Sequence, residues 1–237
     1  MTFPYRFVDL THTLDSSSPT WPGECGFHHE IVLDYADCED EYQFRVMQIR
    51  MQAGIGTHMD APSHCKPGGK CIHEFEVNEL CMPCCVIDVS HQAHAHYSVT
   101  PEDIMAFERM YGTLSQGSCV MIKTGWEKFW NTPERYRNNL VFPSVSHEAA
   151  QLLLMRGVTA LGIDTLSPDR PADGFNVHYA FLGHGKLLIE NVACLDSMPQ
   201  HGGYVIALPL KVKEGTEAPV RFCLLYTSDA ADDTPCV

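Results

Sequence analysis

Two histidines and a carboxylate fall within the seven residues from position 58 to position 64. His58, Asp60 and His64 carry the imidazole and carboxylate groups that zinc and manganese bind in proteins. Pro62 prevents a regular helix or a central strand from running through this segment. We therefore expect these side chains to lie on a turn just past a strand, where they can converge on one point. The segment predicts a metal-centred active site.

Two residues farther along the chain extend this set. His178 follows a loop rich in Pro, Asp and Gly, and Glu190 ends the apolar run at 187–189. A carboxylate at the end of a buried strand is costly unless it is paired or binds a cation. Together with the three earlier residues, the set is large enough for one or two metal ions, with Asp60 or Glu190 as a bridge. A hydrogen-bonded pair of His178 and Glu190 is the alternative.

Composition limits the class of protein. The chain has 237 residues, of which 45% are apolar, enough for one large domain with its own core. A formal charge of −14 disfavours binding to nucleic acid. No apolar run approaches the length of a membrane span and the first residues lack a signal-peptide pattern, so we expect no membrane partner and a cytoplasmic location. The 11 cysteines are expected to be reduced thiols.

Predicted strands and helices alternate only in the middle of the sequence. Thr100 and Ser146 are expected to cap helices that Gly112 and Gly157 end. Hairpin-like strands flank this region. The predicted strands lie at 9–14, 27–35, 42–52, 84–89, 118–123, 158–163, 186–189 and 204–209. The pattern indicates an α/β domain with a mixed β core rather than a pure Rossmann sheet.

The C-terminal segment 223–237 differs from the rest of the chain. Its first ten residues resemble the translation of a transposase adapter used in sequencing-library preparation. We therefore assign residues 1–222 to a single domain and predict that 223–237 is a non-native tail without function. A natural polar tail is the alternative.

The segment from Gly54 to His64 resembles the signature H-x-G-T-H-x-D-x-P-x-H of the metal-dependent cyclase-type hydrolase family, which includes bacterial kynurenine formamidase and isatin hydrolase. His178 followed twelve positions later by Glu190 also matches. Further matching segments, in the same order along the chain, are 9–12, 19–23, 123–126, 142–143 and 162–167. The resemblance covers nearly everything from position 9 to about position 220.

This resemblance implies a fold and a metal site. The fold is a swivelling β/β/α domain, an α/β fold with a mixed β core and flanking helices, assembled as a homodimer or homotetramer. His58, Asp60 and Glu190 would hold one ion, either Zn²⁺ or Mn²⁺, and Asp60, His178 and Glu190 would surround a second.

The same resemblance assigns roles to two further side chains. His64 would be the proton donor and acceptor, and Trp21 would line the pocket for a small-molecule substrate. The expected reaction is arylformamidase-like hydrolysis of an amide, cyclic amide or ester bond in a small aromatic substrate, by metal-activated water. The alternatives are a cyclase or dehydratase that uses the metal as a Lewis acid, and a degenerate protein that binds a metal or a ligand.

Position 54 departs from the signature, because Gly54 stands where the family has its first histidine ligand. Glycine has no side chain with which to bind a metal. Gln52 or water could take the place of that ligand, or a single ion could bind. The sequence therefore predicts the reaction class more firmly than the substrate.

Overall fold

Short apolar runs in this sequence form most strands of one large sheet. The computed structural model describes residues 5–227. The strands are β1 (Tyr5–Asp9), β2 (Phe27–Leu33), β3 (Val46–Met51), β4 (His58–Asp60), β5 (Cys81–Asp88), β6 (Ser98–Val99), β7 (Cys119–Lys123), β8 (Ser144–Val145), β9 (Ala160–Ile163), β10 (Leu187–Glu190), β11 (Gly203–Pro209) and β12 (Glu217–Thr227). The α-helices are α1 (Pro101–Tyr111), α2 (Pro133–Arg137), α3 (His147–Met155) and α4 (Asn176–Gly183).

The main sheet has eight strands in the order β1–β12–β11–β5–β7–β9–β10–β4. Because β4 also pairs with β12, the sheet closes into a barrel. The consecutive strands β5, β7, β9 and β10 run parallel, and the other neighbours in the sheet are antiparallel. The expected α/β fold with a mixed β core and flanking helices is confirmed, whereas the closure of the sheet was not predicted.

The alternation of side chains along the strands separates two apolar clusters. Met59, Ile189 and Phe222 belong to the cluster inside the barrel. Leu188, the neighbour of Ile189 on β10, belongs instead to a cluster that packs the outer face against the helices, together with Phe181 of α4. Successive side chains of a strand point to opposite faces, so both faces of β10 are covered.

Both predicted helix starts are confirmed. Asp103 accepts a hydrogen bond from the backbone N–H of Thr100, which forms the expected capping box at the start of α1. At the start of α3, the hydroxyl of Ser146 accepts the N–H of Ala149 at 3.1 Å. Gly112 follows α1 with φ of 89°, a conformation that glycine adopts without strain.

Two predicted local structures are wrong. The strand expected at 9–14 ends at Asp9, because the hydroxyl of Thr11, and not its backbone, bonds to the backbone of Phe222. The turn expected at His58 is the strand β4, and the turn begins only at Pro62. Pro62 lies beyond the end of the strand and therefore interrupts no strand hydrogen bond.

Strand β12 extends past the expected end of the domain. Residues 223–227 pair with β1, and Leu224 is fully buried. These are the first residues of the segment 223–237 that we predict to be a tail. Positions 228–237 lie outside the described residues, and the adapter origin of the segment stays a prediction.

No disulfide joins the cysteines between residues 5 and 227, and their reduced state stays a prediction. Cys84, Cys85 and Cys119 are buried in the barrel strands, and burial raises the pKa of Cys85 to about 12. Between residues 5 and 227, no helix is both long and apolar enough to cross a bilayer.

Candidate metal centre

Three neighbouring strands present polar side chains on the outer face of the barrel. In the pairing of β10 with β4, Glu190 lies opposite His58. In the pairing of β4 with β12, Glu217 lies opposite Asp60. Because Met59 points into the barrel, the residues on either side of it point outward. Strand pairing, and not a turn, therefore brings His58, Asp60 and Glu190 together.

Two more predicted residues come from elements that cover this face. His178 lies on α4, and His64 ends the 3-10 turn Pro62–His64, against which α4 packs. Nε2 of His178 is 3.6 Å from Oδ2 of Asp60 and 3.4 Å from Oε1 of Glu190. The ring centroids of His64 and His178 are 6.0 Å apart. The structure thus gathers all five predicted metal-type residues in one place.

His58 faces the same two carboxylates as His178. Its Nε2 is 3.6 Å from Oδ1 of Asp60 and 3.3 Å from Oε2 of Glu190. Burial lowers the pKa of His58, but Glu190 and Asp60 outweigh this effect and raise that pKa to about 10. Burial would raise the pKa of Glu190, but His178 and His58 outweigh it and hold that pKa well below its usual value. The four groups therefore form a tightly interacting buried set.

Each buried imidazole is held in place through Nδ1. Nδ1 of His58 is 2.9 Å from the carbonyl oxygen of Gly56, and Nδ1 of His178 is 2.7 Å from Oδ2 of Asp169. Since both partners are acceptors, Nδ1 donates in each ring and Nε2 faces the carboxylates. This is the arrangement in which histidine binds metals through Nε2.

Asp169 is a supporting residue that the sequence analysis did not single out. Its carboxylate also accepts the backbone N–H groups of Val177 and His178 at the start of α4. An acidic residue shortly before a helix that carries a candidate ligand is the signal that could have identified it.

The donor set fits a divalent cation. Among residues 5–227, no group donates a hydrogen bond to the buried Oδ1 of Asp60 or Oε1 of Glu190. His58, Asp60 and Glu190 offer ligand atoms that all lie within 4.8 Å of one another. Buried carboxylate oxygens without hydrogen bonds are costly, and imidazole with carboxylate suits zinc or manganese.

A second group of candidate ligands includes His64. Its ligand atoms and those of Asp60 and His178 also lie within 4.8 Å of one another. His64 is therefore near enough to act as a ligand, although the resemblance assigns it a role in proton transfer.

A cavity of about 560 Å³ opens onto this cluster. The ring of Trp21 lies 5.9 Å from that of Phe175 and 6.4 Å from that of Phe142, between centroids. All six predicted site residues line the cavity, as do Gln52 and Gly54. The lining residues are Trp21, Pro22, Gln52, Gly54, His58, Asp60, His64, Cys65, Leu166, Ser167, Phe175, His178, Tyr179, Glu190 and Glu217.

Glu217 is a second cavity residue that the sequence analysis missed. Its Oε2 is 3.5 Å from Nδ1 of His64, and its side chain is 24% exposed. Burial and the neighbouring Asp60 raise the pKa of its carboxyl. The alternation of the apolar Ala218, Val220 and Phe222 with Glu217 and Arg221 could have indicated that Glu217 lies on the outer face of a strand.

Comparison with known proteins identifies the family of this chain. The family model Cyclase matches residues 8–170, which include His58, Asp60 and His64. The chain belongs to the Cyclase family. The family resemblance noted in the sequence is thereby confirmed.

Individual relatives of this Cyclase family member cover nearly all of it. Kynurenine formamidase of Bacillus cytotoxicus is 30% identical over 219 residues, which are 91% of this chain and 95% of the relative. The structure of isatin hydrolase A from Labrenzia aggregata is 30% identical with a TM-score of 0.85, and the match covers 95% of each chain. Another isatin hydrolase structure, at 24% identity and a TM-score of 0.84, shares the fold.

Proposed function

We propose that this protein is a metal-dependent hydrolase that cleaves a C–N bond, other than a peptide bond, in a small aromatic substrate. The observation that carries the proposal is the pair of buried carboxylates of Asp60 and Glu190 between two imidazoles. Within residues 5–227, one oxygen of each carboxylate accepts no hydrogen bond. Relatives named kynurenine formamidase and isatin hydrolase support the reaction class.

Four side chains are the proposed ligands of one or two Zn²⁺ or Mn²⁺ ions: His58, Asp60, His178 and Glu190. When bound, such an ion acts as a Lewis acid that activates water and polarises a substrate carbonyl. The protein orients the imidazoles through their Nδ1 contacts and excludes bulk water by burying the four side chains, each at most 8% exposed.

His64 is the proposed proton carrier. Its side chain is 34% exposed and lies at the edge of the cavity, beside the buried cluster. It can accept a proton from the attacking water and pass it to the leaving nitrogen when the C–N bond breaks. Trp21 and Phe175 form the wall against which a flat substrate ring would pack.

Metal analysis and a substrate panel test the reaction class. We expect the purified protein to contain zinc or manganese and to hydrolyse a formanilide or isatin, in which an acyl C–N bond is cleaved. Small lactones, in which hydrolysis breaks a C–O bond, are the comparison substrates. Chelation should abolish this activity, and addition of the metal should restore it. A purified protein that holds neither ion, and that stays inactive on the whole panel after metal is added, would contradict the proposal.

Replacement of His64 tests its role. We expect His64→Ala to lower turnover by about 10²- to 10⁴-fold while the metal content is kept, because the imidazole transfers protons without holding the ion. Turnover and metal content, measured on the same sample, check this. His94→Ala, at an exposed loop position, is the control. Loss of the metal together with activity would make His64 a ligand.

We also infer that the protein is a homodimer whose contacts involve the β2–β3 ribbon. Within the described chain, β2 and β3 pair with each other and stand apart from the barrel sheet. Three apolar side chains on one face of the ribbon are exposed to solvent. The exposed fractions of Ile31, Met47 and Ile49 are 48%, 47% and 57%. A two-stranded ribbon is marginally stable in water, and a second copy that covered this face would stabilise it.

The cytoplasmic location stays a prediction.

A further inference from the structure

The space beside Gly54 is filled by the carboxylate of Glu217. A Cβ atom built on Gly54 would lie 2.8 Å from Oε2 and 3.0 Å from Cδ of Glu217. The backbone of Gly54 does not occupy the left-handed region that favours glycine. A side chain at position 54 would therefore compete with the carboxylate of Glu217 for this space, while the backbone itself does not require glycine.

Strand pairing places Glu217 on the same face of the sheet as the metal centre. It lies directly opposite Asp60 in the antiparallel pair of β12 with β4, and directly opposed residues project from the same face of a sheet. The strands β10, β4 and β12 thus present Glu190, Asp60 and Glu217 on one face, with Glu217 directly opposite Asp60 and Glu190 diagonal to it. Like charges at opposed positions repel, so a cation between these carboxylates would stabilise the arrangement.

The contacts of Glu217 within the protein leave its oxygens available. Residues 5–227 donate no hydrogen bond to its carboxylate, and its ion pair with Nδ1 of His64 spans 3.5 Å. A carboxylate that borders the cavity, stands next to Asp60 and lacks a close donor has the chemistry of a hard-cation ligand.

We propose that Glu217 supplies the metal-binding group that position 54 lacks. The carboxylate of Glu217, on β12, thus replaces the histidine side chain that the family has at position 54, before β4. The centre then holds three carboxylates, from Asp60, Glu190 and Glu217, with the imidazoles of His58 and His178. This proposal rests on the metal-dependent function argued above.

Metal titration of the metal-free full-length protein tests the proposal without reference to turnover. Zn²⁺ and Mn²⁺ are added separately in competition with a chromophoric chelator, which measures both affinity and the number of ions bound. We expect Glu217→Gln, which keeps the shape and removes the charge, to weaken affinity by at least about tenfold or to remove one bound ion. Glu148→Gln, on the exposed first turn of α3, should bind like the parent protein.

The outcomes separate this proposal from the function on which it rests. If the parent protein binds the ions and Glu217→Gln binds them with the same affinity and number, Glu217 is not a ligand while the hydrolase proposal stands. If the parent protein binds neither ion, both proposals are overturned. Circular dichroism and thermal unfolding of each variant show whether it is folded.

A reciprocal pair of substitutions provides an independent measurement. Gly54→Ala alone should weaken metal binding, because the added Cβ displaces the carboxylate of Glu217. The double variant Gly54→His with Glu217→Ala should bind the ions more tightly than Glu217→Ala alone, since the imidazole enters the space that the carboxylate leaves. If the double variant and Glu217→Ala bind the ions with equal affinity, the proposal that Glu217 replaces a ligand at position 54 is contradicted.

Discussion

Hydrogen bonds at Nδ1 of His58 and His178 orient the Nε2 atoms that face the metal site. The carbonyl of Gly56 that holds Nδ1 of His58 is itself fixed by the amide of Asn191, whose Nδ2 lies 2.8 Å away. On the other side of the site, Asp169 holds both the ring of His178 and the first turn of its helix. The two imidazoles are therefore supported by different means, one by the backbone and one by a carboxylate.

Removal of the support behind His178 should weaken the metal site. We expect Asp169→Ala to lower metal affinity by about 10- to 100-fold, because the ring loses the partner that sets its tautomer and orientation. It should also lower the free energy of unfolding by about 1 kcal/mol, since two N–H groups of α4 lose their acceptor. Chelator competition and urea denaturation measure the two effects.

Asp173→Ala is the matched control for this substitution. Asp173 lies four positions from Asp169 and pairs with Arg170, but its side chain is 54% exposed. Its removal should change metal affinity little. Equal losses of affinity in the two variants would show that charge near α4, and not the contact with Nδ1, is responsible.

The ends of parallel strands β5 and β7 are joined by a half-buried ion pair, whose lysine also contacts the exposed carboxylate of Asp196. Asp88 and Lys123 occupy paired positions, with Nζ of Lys123 2.8 Å from Oδ2 of Asp88. Their side chains are 26% and 18% exposed. Burial raises the pKa of Asp88, but hydrogen bonds from Lys123 and Ser90 outweigh it and bring that pKa below its usual value.

This pair should make stability depend on pH. The pKa of Asp88 is lower in the folded protein than in the unfolded chain, where it is about 3.9. The ionised carboxylate therefore contributes its full stabilisation to the folded protein above that unfolded pKa, and this contribution is lost as pH falls through the folded-state pKa. We expect Lys123→Met to lower the free energy of unfolding by about 1 kcal/mol near pH 7. The difference from the parent protein should shrink below about pH 4.

Urea denaturation of the parent protein and of Lys123→Met at a series of pH values measures this difference. Lys211→Met, at an exposed position, should match the parent throughout the range. A loss of stability that stayed constant from neutral to acidic pH would assign the effect to packing of the lysine stem and not to the charge of Asp88.

At the scale of the whole molecule, the β2–β3 ribbon pairs with no strand of the barrel among residues 5–227. The residues of β2 and β3 alternate, so that Ile31, Met47 and Ile49 share one face of the ribbon while Gln48 and Arg50 lie on the other. The apolar face is exposed in the single chain. We attribute this exposure to a contact between two copies.

A charge on the apolar face of the ribbon should disrupt the dimer. We expect Ile49→Asp to shift the protein towards a monomer, because an unpaired carboxylate would be buried in the contact. Gln48→Asp adds the same charge one residue away on the opposite face and should leave the dimer intact. Multi-angle light scattering on a size-exclusion column measures the mass. A parent protein that elutes as a monomer would contradict the inference.

Local patterns in the sequence were enough to predict much of this protein. The capping signals at Thr100 and Ser146 depend on residues three positions away, and the apolar runs of the barrel strands reflect short-range alternation. The resemblance of the segment from Gly54 to His64 predicted the ligand types and the fold class. These features could be predicted because each is encoded in a few consecutive residues.

Only the tertiary structure showed which strands are neighbours and therefore which site residues lie close together. Pro62 suggested a turn at His58, but pairing with β10 and β12 makes this segment a strand, whose alternation aims His58 and Asp60 at the same site. Glu217 lies more than 150 positions from Asp60 in the chain, yet the two are opposed in the barrel. Which strands become neighbours depends on contacts between distant parts of the chain, and no local pattern specifies them. The sequence therefore determined the chemistry available, and the closure of the barrel determined which carboxylate stands beside Gly54.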